Sequence, residues 1–151
     1  SLFFMINSSF SFFEKKDISK KKNKAMLGKH LNEITIIYNN ENPIDKEVLA
    51  YLQGSSVKIR EVNTLNQKLT GTLYEEISQK MNISSLKELV NHETEEFEKI
   101  KNMSFDSDTD YIKIFQHTPQ LLKTPILVHQ NHASFAKGAG DIAKFLEQEN
   151  I

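Results

Sequence analysis

The stretch from Glu33 to Val62 constrains the fold more than any other part of this 151-residue chain. Glu33–Asn39 (EITIIYN) is a β-branched apolar run, the pattern of a buried strand. Asn42 then stands where an N-cap belongs, with Pro43 at the first helical position and Asp45 at the third. Helical spacing continues to about Gln53, and Gly54 marks its stop. Ser56–Val62 (SVKIREV) alternates and reads as a second strand. Strand, helix and strand within about 30 residues form a βαβ unit, whose crossover is expected to be right-handed.

A helical middle follows. Thr72–Met81 carries Leu73, Ile77 and Met81 at a spacing of four. Ser84 or Ser85 can cap the next segment, which sets Leu86, Leu89 and Val90 on one face. Asp106–Gln116 predicts another helix with Tyr111, Ile112 and Phe115 inward. Thr124–His129 (TPILVH) predicts a third strand, paired as a hairpin with Ala133–Gly138 through Gln130–His132. A last helix spans about Ala139 to Gln148. The order β-α-β, helices, β-β-α is the thioredoxin-like α/β arrangement, with a mixed sheet and an inserted helical block. Pro125 is placed to open the third strand in the cis form and to face the first helix's N-terminus. Only about 5–6% of X–Pro bonds in folded proteins are cis, so this expectation rests on the fold order.

Composition narrows the chemistry. A chain of this length suits one domain and buries roughly 70% of its unfolded surface, so it needs no metal or disulfide to fold. It has no cysteine, which excludes disulfides, thiolate nucleophiles and thiolate metal sites, and which fits a cytoplasmic location. A net charge of -1 provides no general attraction for nucleic acid. Arg60 is the only arginine among 19 basic residues, whereas bidentate oxyanion recognition is chiefly arginine work. No apolar run approaches the ~18 residues of a membrane span. Residues 1–25 read as an N-terminal extension. Ser1 and Leu2 look like a cloning remnant, and Phe3, Phe4, Phe10, Phe12 and Phe13 precede a lysine cluster at Lys15–Lys24. The main domain is expected over 26–151, and the aromatic segment is a candidate joint for a homo-oligomer.

Three stretches, in order and with matching spacing, are similar to the glutaredoxin-dependent arsenate reductases and the related Spx regulators. Phe115–Val128 (FQHTPQLLKTPILV) is similar to that family's His-Pro-x-Leu-x-x-Arg-Pro-Ile-Val-Val. Tyr38–Leu52 (YNNENPIDKEVLAYL) is similar to its Asn-Pro-x-Cys-x-x-x-Arg-x-x-Leu-x-x-Leu. Ala133–Leu146 (ASFAKGAGDIAKFL) is similar to its final hairpin and helix. The resemblance spans Glu33 to Leu146 and implies a pocket at Asn39, Asn42, Lys46, Thr124, Pro125 and Lys137. It puts Asn42 where the family carries its nucleophilic cysteine. Lys46 stands where many members have arginine, Thr124 where an arginine precedes the proline, and Thr70 and Lys137 near two further arginine positions.

These departures imply a degenerate member. A carboxamide is no nucleophile at neutral pH and forms no arsenate adduct or mixed disulfide. Glu41, Asp45 and Glu47 flank the corner. Two like charges about 4 Å apart cost roughly 1–4 kcal/mol at effective dielectrics of 80–20, against about 0.3–1 kcal/mol from a helix dipole. The expectation is a non-catalytic binding or regulatory module that takes a protein or peptide in the cis-proline groove. Spx-like members bind the RNA polymerase α subunit, so the resemblance permits that partner. The alternative is an enzyme that uses glutathione or another small thiol without a protein cysteine, with Tyr38 or Asn39 nearest the sulfur.

Other candidates carry plainer readings. Asn42 is a helix cap, and Asp45 its capping-box partner, with general base as the alternative for Asp45. His117 braces a loop. Arg60, beside Glu61, forms an edge ion pair. Asn91–Lys101 is a solvated helix face. His129 and His132 flank a hairpin turn without a third ligand, so no metal site is expected, and neither a nucleic-acid stripe nor a phosphate loop is present.

Overall fold

Strand β1 (Glu33–Tyr38) is buried over five of its six residues, which places it inside a sheet rather than at an edge. In the computed structural model, which describes residues 32–151, β1 pairs in parallel with β2 (Lys58–Asn63) and antiparallel with β3 (Ile126–His129). Strand β4 (His132–Phe135) closes the far edge against β3, giving the order β2-β1-β3-β4. The expected extension 1–25, the domain start at Met26 and the oligomer joint all lie outside the described residues.

Five α-helices flank this sheet among the described residues: α1 (Pro43–Gln53), α2 (Gly71–Met81), α3 (Glu95–Ile100), α4 (Asp108–His117) and α5 (Ala139–Gln148). Strand alternation sorts the core into two layers. Ile34, Ile36, Tyr38 and Leu127 pack with Val48 and Leu52 of α1 and Ile142 and Phe145 of α5. Ile37, Val62, Ile126 and Val128 face the opposite way, onto Tyr74 and Ile77 of α2, Phe115 of α4 and Leu86 and Leu89. This is the thioredoxin-like α/β fold, and the helical block between β2 and β3 covers the second face. The Val90–Leu122 bridge ties that block to the approach to β3, with Asn91 N–H on the Leu121 carbonyl and Lys123 N–H on the Leu89 carbonyl, both 2.7 Å.

Several boundaries differ from the sequence expectation for local reasons. Strand β2 begins at Lys58 rather than Ser56, because the Val57 N–H turns back to the Ser55 hydroxyl at 3.3 Å. Helix α4 begins at Asp108, since the Asp106 N–H is taken by the Asp110 carboxylate at 3.0 Å. Ser85 caps a short 3-10 turn (Leu86–Leu89), not an α-helix. Strand β3 starts after Pro125, which has no N–H to give the ladder. His132 belongs to β4 and pairs with His129, so the hairpin turn is Gln130–Asn131, with Gln130 left-handed at φ 51. Gly54 ends α1 at φ -81, so its stop owes nothing to the left-handed freedom of glycine.

Candidate functional site

Helix α1 begins at the end of the central strand, where β1 runs into the corner Asn39–Asn42. The Asn42 side chain accepts from Ile44 N–H at 3.0 Å, the N-cap that the sequence predicts, and Pro43 follows at the first helical position. The backbone N–H groups of this corner are spent internally. Asn39 N–H donates to Asp45 Oδ2 at 2.8 Å, Asn40 N–H to Asn63 Oδ1 at 3.3 Å and Glu41 N–H to Asn39 Oδ1 at 2.8 Å. Asn42 N–H reaches the Asn39 carbonyl at 3.0 Å, and Pro43 has none to give. A corner that could cradle an oxyanion needs those donors free. Here side-chain oxygens of Asn39, Asn42, Asp45 and Asn63 take most of them.

Asp45 is the centre of this arrangement and is fully buried. It does not act as the capping-box partner of Asn42; the Asn42 N–H goes elsewhere, and Asp45 reaches past it. Its Oδ2 accepts from Asn39 N–H and also from the Thr124 hydroxyl at 2.5 Å. One carboxylate oxygen thus joins the end of β1, the first turn of α1 and the residue before Pro125. The Thr124–Pro125 bond is cis. The second oxygen, Oδ1, is buried with no hydrogen-bond partner. Burial raises the Asp45 carboxyl above its ordinary value, and the Thr124 and Asn39 hydrogen bonds pull it part of the way back.

Of the pocket positions expected from sequence, Asn39 and Thr124 meet at Asp45, Pro125 follows directly, and Asn42 caps the helix beside them. Lys46 and Lys137 are exposed, and no hydrogen bond joins either side chain to the corner among the described residues. The Lys137 backbone N–H donates to Asp141 Oδ2 in the first turn of α5 at 2.8 Å. Thr70 caps α2 by accepting from Leu73 N–H. Tyr38 is buried and turns its hydroxyl to Glu61 Oε1 at 3.4 Å; burial, then the Glu61 charge, raises its pKa. Gln53 takes the other Glu61 oxygen at 2.9 Å, and Arg60 forms none of the ion pairs found among the described residues. His117 is exposed and meets the Thr118 hydroxyl at 3.2 Å. In α3, Glu95 and Glu98 face solvent, while Phe97 and Ile100 pack on the core.

Two residues escaped the sequence reading. Asn63 serves both the Asn40 and Leu65 N–H groups, and only its place at a strand end hints at an Asx turn. Glu149, just past α5, receives Nδ1 of buried His129 at 2.7 Å on one oxygen and Nδ1 of exposed His132 at 2.9 Å on the other. The two histidines converge on a carboxylate, and no group of three metal-binding side chains suited to an ion occurs among the described residues. A separate crevice lined by Thr64, Leu69, Tyr74, Phe115 and Leu122 offers about 10 Å³, room for a single water.

The chain matches no protein-family model and no curated protein sequence. Solved structures are more informative. A protein named as an arsenate reductase from Yersinia pestis superposes with a TM-score of 0.65 at 18% identity, covering 74% of this chain and 98% of that one. An arsenate reductase from Vibrio cholerae gives 0.61 at 17% identity, covering 69% and 89%. An arsenate reductase-related protein from Brucella melitensis gives 0.56 at 12%, covering 76% and 95%. The chain has the arsenate reductase fold. At these identities the likeness extends to architecture alone. Within that fold the α1 corner of this chain presents Asn42 as a helix cap and Asp45 as a buried strut, and the whole chain lacks cysteine. No helix among the described residues is long and apolar enough to cross a membrane.

Proposed function

We propose that this protein is a non-catalytic binding or regulatory module on an arsenate reductase-like scaffold, recognising an extended peptide or protein segment beside the Thr124–Pro125 bend. One observation carries the reading: the reacting corner holds a capping asparagine in place of a thiol, and its backbone donors are already bonded to the chain's own side chains. Thiol–arsenate exchange needs a sulfur nucleophile and an anion cradle, and this corner offers neither. The glutathione reading has less support, because the Tyr38 hydroxyl that would approach a ligand sulfur is directed to Glu61. A cytoplasmic location is part of the same proposal, as is self-association through the aromatic N-terminal segment.

The test has two arms. Arsenate turnover by the purified chain with glutathione and glutaredoxin is expected to be at background, and Asn42→Cys is expected to stay there because a thiol alone does not free the donors. Titration with a panel of extended peptides, followed by amide NMR, is expected to move resonances at Asn39–Asp45 and Ile126. Turnover above background by the wild-type chain, or a panel that leaves these amides unmoved, sinks the reading.

A further inference from the structure

We infer that Asp45 is the selectivity element of the corner: its carboxylate occupies the Asn39 N–H and the Thr124 hydroxyl as an internal anion, so the site turns oxyanions away and admits neutral peptide groups. This rests on the peptide-binding reading and specifies the ligand class. The two donors come from different elements, and both end on the same buried oxygen, Asn39 N at 2.8 Å and Thr124 Oγ1 at 2.5 Å. A small bound anion would be held by the same convergence of an N–H and a hydroxyl on one oxygen. The charge is sealed in, because Asp45 has no exposed surface and its Oδ1 lacks a partner. Water therefore screens it less than it screens the exposed Glu41 and Glu47. A second anion at this corner meets both a filled cradle and a poorly screened like charge.

Inorganic sulfate is the probe, read by amide shifts in the full chain. The wild-type protein is expected to show shifts at Asn39–Ile44 that do not saturate over the sulfate range that saturates the variants. Asp45→Ser, which removes the carboxylate, and Asp45→Asn, which keeps the shape and loses the charge, are both expected to half-saturate at least about tenfold lower sulfate than wild type, the factor set by ~1.4 kcal/mol of like-charge repulsion. Glu47→Gln removes an exposed charge and is expected to gain nothing. Dispersed spectra of each variant establish its fold, and Asp45→Asn guards against a collapse of Asp45→Ser. The inference is overturned by saturable sulfate binding to wild type at the variants' midpoint, by folded Asp45 variants that bind no better than wild type, or by an equal gain in Glu47→Gln. Peptide titration of the wild-type protein is independent of these outcomes, so failure of the module reading leaves a distinct signature.

Discussion

Two carboxylates organise the ends of this sheet, Asp45 fully buried and Glu149 partly so, and they are satisfied in opposite ways. Glu149 divides its oxygens, one to His129 and one to His132. Asp45 places both donors on Oδ2 and leaves Oδ1 buried without a partner. The donors also differ. An imidazole can carry a charge to meet the carboxylate, whereas a threonine hydroxyl and a backbone amide cannot. The C-terminal site is thus a structural clamp, whereas the corner holds a charge at some cost to the fold.

The largest effect expected from breaking this contrast is at the clamp. Glu149→Ala removes the acceptor of a buried imidazole nitrogen and frees the end of α5 from the hairpin. It is expected to destabilise by about 1–3 kcal/mol in urea unfolding. A loss no greater than that of an ordinary surface substitution would show that the clamp contributes little.

The corner is expected to respond through pH. Because the folded Asp45 carboxyl is raised above 3.8, the folded chain keeps a proton that the unfolded chain has lost. This group's contribution to stability therefore falls as pH rises from about 3.8 through the raised value, then levels off. Asp45→Asn is expected to flatten that descent and to change stability at neutral pH by less than about 1 kcal/mol. Midpoints measured across the acidic range check it, and a variant whose pH profile overlays wild type removes Asp45 as the source.

The smallest effect is expected at His132. It is exposed, so its bond to Glu149 competes with water, and His132→Ala is expected to cost under about 1 kcal/mol. A loss as large as that of Glu149→Ala would mean that the exposed half of the clamp, not the buried half, holds α5.

Local rules made much of the architecture legible. Asn42, Pro43 and the β-branched run before them specify a strand, a cap and a helix through contacts only a few residues apart. Helix α5 follows from its own apolar spacing. Boundaries moved where one hydrogen bond outcompeted the ladder, as at Val57 and Asp106. The candidate site was legible only as a set of positions. Asp45 sits at the third helical position, where sequence logic assigns it to Asn42, yet it bonds to Thr124, 79 residues away. Glu149 has no local signal, because His129 and His132 reach it only after the hairpin and α5 pack together.

By itself, then, the sequence settled the order of elements, the missing thiol and the cap at Asn42. These depend on residue identity and on neighbours within a turn or two. Which oxygen takes which donor was decided in three dimensions. A buried carboxylate bonds to whatever donors packing brings within reach, and for Asp45 those come from the start of the corner and from the approach to β3. Chain order brings only one of these near; the pairing of β1 with β3 supplies the other.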